Sequence, residues 1–128
     1  MTYLIQRKYM FMSTLIIYFL TSNGRGKITL PRFHSRHFNL TQHGASKITI
    51  KGHRLGLNQV FSDGRGDIRI SGIKSYNVNI KTSEDSTSAI SLSGQIGLNE
   101  LNALGMGSIN IKGITPKPLY VKSNSGAP

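Results

Sequence analysis

Gly66-Asp67-Ile68-Arg69-Ile70-Ser71-Gly72 is the stretch that decides the fold. Ile68 and Ile70 alternate with Asp67, Arg69 and Ser71, the two-residue period of a strand with one buried face. A glycine at each end marks a turn. The pattern returns along the chain in Lys27-Ile28-Thr29-Leu30, Lys47-Ile48-Thr49-Ile50, Ala89-Ile90-Ser91-Leu92 and Ser108-Ile109-Asn110-Ile111. The leading isoleucines stand at 28, 48, 68, 90 and 109, so the spacings are 20, 20, 22 and 19 residues. Gly52, Gly72, Gly94 and Gly113 follow four of the five.

A second apolar column runs between these segments. Leu20, Leu40, Val60, Ile80, Leu101 and Val121 are 20, 20, 20, 21 and 20 residues apart. Tyr18, Phe38, Val78 and Leu119 supply an apolar residue two places earlier, while Asn58 and Asn99 break that rule. Each repeat reads as two short strands joined by turns of Gly, Ser, Asn and Asp. Helical spacing is not sustained after residue 24. A fixed period of this length without helices points to stacked coils, each inward residue lying about 4.8 Å above its counterpart. Leucine-rich repeats share the period, but their Leu-x-x-Leu-x-Leu signature and asparagine ladder are not evident. An antiparallel sandwich is the structural rival, and it does not require so constant a register. The expected fold is all-β: a short right-handed parallel β-helix of ~20-residue coils, about five to six of them, over residues 16–128.

The ends read less simply. In residues 1–22, Arg7 and Lys8 precede an apolar run from Tyr9 to Leu20, which fits the start of a secretory signal. The same run also fits a first strand, because Tyr18 and Leu20 keep the inward register. At the other end, Val121–Pro128 reproduces the second-column strand and stops where the next Ile-x-Ile is due. The expectation is a β-helix truncated there, with an open coil edge able to pair with another copy.

Composition narrows the function. The length of 128 residues fits one domain, and the absence of Cys removes disulfides, thiolate metal sites and thiol nucleophiles. Sixteen Lys+Arg against five Asp+Glu give a net charge of +11, which favours anionic partners. Residues 1–74 hold twelve of those cations and two of the acids, so any electrostatic surface belongs to the first half.

The recurring Gly-x-Gly-x-Ile-x-Ile/Leu unit carries a resemblance. Asn23-Gly-Arg-Gly-Lys-Ile-Thr-Leu30, Asp63-Gly-Arg-Gly-Asp-Ile-Arg-Ile70 and Leu104-Gly-Met-Gly-Ser-Ile-Asn-Ile111 resemble the coils of the head GIN domain of autotransporter adhesins, a domain-of-unknown-function family of bacterial envelope proteins. The likeness spans about residues 16–126. His43-Gly-Ala-Ser46 and Asp85-Ser-Thr-Ser88 depart from the pattern. The resemblance implies a β-helix, an envelope or secreted location and an adhesin-like binding or structural role. It brings no catalytic residues.

Among individual residues the cations lead. Lys27 and Lys47 share one outward column with Asp67, Thr29 and Thr49 share the next with Arg69, and Lys51 and Arg54 follow the second coil. Lys27, Lys47, Lys51, Arg65 and Arg69 are therefore the expected ligand-binding residues. Their rigid spacing suits a repeating anion, an anionic glycan or lipopolysaccharide. Nucleic acid is the less favoured partner, since stacking aromatics are expected among the cations of such a binder, and Phe38 falls in inward register. A degenerate polysaccharide-active enzyme is the other alternative. It would draw on Asp63, Asp67, Glu84, Asp85 and Glu100; Asp63 and Asp67 lie close to Arg65 and Arg69, and local surface ion pairing is the simpler reading. The chain is expected to be noncatalytic and to need no cofactor.

Other motifs read as incidental. Arg65-Gly66-Asp67 repeats the position of Arg25-Gly26-Lys27, so this familiar cell-attachment tripeptide reads as a tight coil corner. His34, His37, His43 and His53 read as solvated corner residues, not as metal ligands. Ser71-Gly-Ile-Lys74 lacks the partner motifs and the helix of a Ser-x-x-Lys nucleophile. Asn39-Leu-Thr41 is a glycosylation acceptor placed inside a strand.

Overall fold

Alternating sequence becomes alternating burial. The computed structural model describes residues 3–9, 15–114 and 120–123, with side chains from 19 to 114. Its strands are β1 (Tyr3–Tyr9), β2 (Leu15–Ser22), β3 (Lys27–Phe33), β4 (Phe38–Gln42), β5 (Lys47–Leu55), β6 (Leu57–Ser62), β7 (Ile68–Thr82), β8 (Ile90–Ala103), β9 (Ile109–Ile114) and β10 (Tyr120–Ser123). The described residues form no helix.

The strands stack into two parallel ladders. On the first face β3, β5, β7, β8 and β9 pair in that order, with Ile28, Ile48, Ile68, Ile90 and Ile109 in register. On the second face Leu20, Leu40, Val60, Ile80, Leu101 and Val121 are matched through β2, β4, β6, β7, β8 and β10. Coils about 20 residues apart thus build a parallel β-solenoid of about five turns. The inward residues make one core: Leu40, Val60, Ile80, Ile48 and Ile68 are fully buried. Leu101 and Ile109 were expected in it but are only partly buried, packed against its rim. Ile109 lies on β9, the last described strand of its face, where β8 is its neighbour among the described residues.

Asn58 and Asn99, the two exceptions of the second column, are explained by one-residue slips. Leu57 pairs opposite Phe38, and Leu98 opposite Val78, each followed by a register shift. The leucine one place earlier fills the core, and the asparagine is pushed outward as a bulge residue. There Asn58 Nδ2 donates to Asn39 Oδ1 (3.0 Å) and Asn99 Nδ2 to Asn79 Oδ1 (2.8 Å). Asn79 Nδ2 donates to Asn58 O at 3.1 Å, so the stack does carry an asparagine ladder, on the outside of the sheet.

Two short strands per coil hold only for the first half. β7 and β8 run through the bend between faces without interruption, for 15 and 14 residues. The bends differ in length. Gly52-His53-Arg54 stands opposite the single residue Gly72, and Pro31-Arg32 opposite the single residue Lys51. A one-residue glycine bend lets the strand turn and keep its ladder. Every bend contains one left-handed residue: Arg32 (φ 51°), Arg54 (φ 50°), Gly72 (φ 68°), Gly94 (φ 139°) and Gly113 (φ 92°). For a residue with a Cβ this conformation costs about 1–2 kcal/mol.

The opposite, Gly-rich corner is lined inside by a polar file. Ser22, Gln42, Ser62 and Thr82 are in register and buried. Gln42 is its hub: Oε1 accepts from Ser62 Oγ (2.9 Å) and Ser88 Oγ (2.7 Å), and Nε2 donates to Ser46 O (2.6 Å). Ser22 Oγ donates to Ser46 Oγ at 2.8 Å. Gln42→Ala removes these bonds where water cannot easily replace them, at an expected cost of roughly 2–3 kcal/mol. Urea denaturation checks this, with the exposed Lys81→Ala expected within about 0.5 kcal/mol of the parent.

At the N-terminal end, β2 pairs with β4, with Leu20 opposite Leu40 and buried. β1, which contains Arg7 and Lys8, was not anticipated as a strand; it pairs antiparallel with β2 along its free edge. The inward placement of Tyr18 and Leu119, and the chain beyond Ser123, lie outside the described side chains or residues.

Candidate anion-binding face

The outward side of the first ladder is fixed by the same alternation that buries its isoleucines. With Ile28, Ile48 and Ile68 inward, Lys27, Lys47, Thr29, Thr49 and Arg69 point out. Lys27 pairs in register with Lys47, and Thr29 with Thr49 and then Arg69. Lys51 lies in register with Ser71. Lys27, Thr29, Lys47, Thr49, Lys51 and Arg69 line a shallow groove of about 370 Å³. It continues into a second hollow of about 360 Å³ that runs past Ser71, Ser91 and Ser93 to Lys112. Neighbouring strands fix these groups about 4.8 Å apart.

Four of the five expected residues therefore meet, and Arg65 does not. It lines a separate hollow of about 530 Å³ at the Gly-rich corner, with Arg25, His43, Asp63 and Asp85. The chain turns between Arg65 and Arg69, so their shared outward position does not put them on one surface. Expected ion pairs of Asp63 and Asp67 with Arg65 and Arg69 are not formed among the described residues. Asp63 instead meets His43 Nδ1 at 3.0 Å, one coil earlier. Lys81 pairs with Glu100 in the same way, at 3.5 Å. A neighbour one coil away lies closer than one two residues along the strand. The 20-residue period was the signal that could have found both pairs.

Arg65-Gly66-Asp67 is a corner held on both sides. Arg65 N donates to Gly44 O and Ile48 N to Asp67 O, each 2.9 Å. The histidines are divided between the two edges of the solenoid. His43 lies at the Gly-rich corner, while His34 Nδ1 donates to His53 O at the bends (2.9 Å). No three His, Asp or Glu among the described residues are grouped to hold a metal. Ser71 and Lys74 flank the Gly72 bend, on β strand and not helix. Asn39 lies in β4, within the asparagine ladder. Tyr76, at 52% exposure, is an exposed aromatic on β7, and it is not among the residues that line the groove.

No family model, curated protein or solved structure matches the chain.

Proposed function

We propose that this chain is a noncatalytic, adhesin-like binding module whose first face holds an anionic glycan or the sugar-phosphate part of lipopolysaccharide. The observation that carries the reading is the in-register pair Lys27–Lys47, set with Lys51 and Arg69 in one groove on a rigid sheet. A repeating anion laid across the strands meets a cation or a threonine hydroxyl at successive coils without ordering a flexible loop. Residues 1–62 hold no carboxylate, and Asp67, next in the column of Lys27 and Lys47, forms no ion pair with the groove cations among the described residues. The Gly-x-Gly-x-Ile corners that resemble head GIN coils support a bacterial envelope or secreted setting.

The test compares two charge-matched triple variants. Lys27→Gln, Lys47→Gln and Arg69→Gln together should weaken heparin and lipopolysaccharide binding. They should also flatten the slope of log K against log salt by roughly two, because fewer counterions are released. Arg25→Gln, Arg65→Gln and Lys81→Gln together remove the same charge elsewhere and should change little. Equal losses in the two variants would mean that net charge, and not this groove, drives binding. Tighter binding of single-stranded or duplex DNA than of any glycan would favour the nucleic-acid alternative.

A further inference from the structure

We infer that the bends of the first two coils form an oxyanion clamp, built on Arg32 and Arg54, that takes a sulfate, phosphate or carboxylate group of the chain lying in the groove. The inference rests on the proposed function for the class of ligand, but its residues are different ones.

Five successive bends each require one left-handed residue. The last three supply it with Gly72, Gly94 and Gly113, and the first two with Arg32 and Arg54. Glycine meets the backbone requirement without strain, so the geometry of the turn does not select arginine. A strained residue retained where the fold offers an easier one points to a use for its side chain. Both arginines are exposed, and neither meets a carboxylate among the described residues. Arg32 lines a hollow of about 700 Å³ with Pro31, Lys51, Gly52 and His53. The bond from His34 Nδ1 to His53 O ties the first bend to the second, which fixes the two arginines' backbones relative to each other.

The chemistry suits an oxyanion. A guanidinium is planar, weakly hydrated and able to donate two parallel hydrogen bonds to a carboxylate, sulfate or phosphate. Exposed Arg36 adds to the local positive field with no acidic residue in this part of the sequence. Lys51 lines both the bend hollow and the groove, so one polyanion can lie across the sheet and turn over its edge.

The experiment uses the full chain with Arg32→Gly and Arg54→Gly combined, and the same pair changed to Asn, which also tolerates a left-handed backbone. Binding of a heparin dodecasaccharide should weaken at least tenfold in both, while the thermal midpoint holds or rises as strain is relieved. A hyaluronate oligomer of equal length, carrying carboxylates only, tells which oxyanion the clamp prefers by the size of its own loss. Unchanged heparin affinity in either folded variant overturns the clamp. A midpoint lowered by several degrees in both variants overturns it too, because the arginines would then serve the fold. Loss in the bend variants with none in the Lys27, Lys47 and Arg69 variant removes the groove and keeps the clamp. The reverse removes the clamp and leaves the proposed function standing.

Discussion

Ile68→Ala is expected to cost on the order of 2–4 kcal/mol, against well under 1 kcal/mol for Lys47→Ala. Ile68 is fully buried, with Ile48 in register on one side and Ile90 on the other. Truncation removes three carbons' worth of transfer energy and opens a cavity between two coils. Collapse cannot fill that cavity, because the ladders on both faces hold the coils at the strand spacing. Lys47, next to Ile48 one coil earlier, points outward and is exposed, and truncation there leaves neither a cavity nor a broken ion pair among the described residues. Urea denaturation of the two variants measures the difference. Equal losses would be incompatible with the inward–outward alternation on which the solenoid depends.

Much of this architecture could be read from one periodic pattern. Isoleucines spaced by 20, 20, 22 and 19 residues are matched one to one in the ladder, including the longer and shorter steps. Periodicity reports which way a side chain faces, but not how many residues the chain spends at a bend. The one-residue slips at Asn58 and Asn99, the uninterrupted β7 and β8, and the left-handed Arg32 and Arg54 are all bend or bulge properties. The file of Ser22, Gln42, Ser62 and Thr82 was hidden for another reason. Polar residues next to a Gly-rich turn read as solvated, and only the stacking of several coils shows that they satisfy one another inside. The candidate site was legible to the same extent. Lys27, Lys47, Lys51 and Arg69 follow from the alternation alone, whereas placing Arg65 required knowing where the corner turns.

Gly66→Ala should be at least as damaging, with a loss of more than about 3 kcal/mol or failure to fold. A Cβ on Gly66 would lie 1.9 Å from Ser46 O and 2.5 Å from Ser46 C, atoms of the preceding coil's backbone. No rotamer change relieves a contact with backbone, so the coils would have to separate. That would strain the bonds from Arg65 N to Gly44 O and from Ile48 N to Asp67 O on either side. The repeat position is not closed to side chains in general. Ser46 and Ser88 hold it in the coils before and after, and their hydroxyls join the buried file around Gln42 and Ser62. Serine and glycine alternate there as Gly26, Ser46, Gly66, Ser88 and Gly107, so each serine coil is followed by one without a Cβ. Gly107 repeats the geometry, with its Cβ position 1.9 Å from Ser88 O. Arg65→Ala, one residue away and exposed, should stay within about 0.5 kcal/mol of the parent. A Gly66→Ala protein that melts within 1 kcal/mol of the parent in urea would refute the close coil approach. It would also reopen the reading of Arg65-Gly66-Asp67 as a surface signal and not a corner.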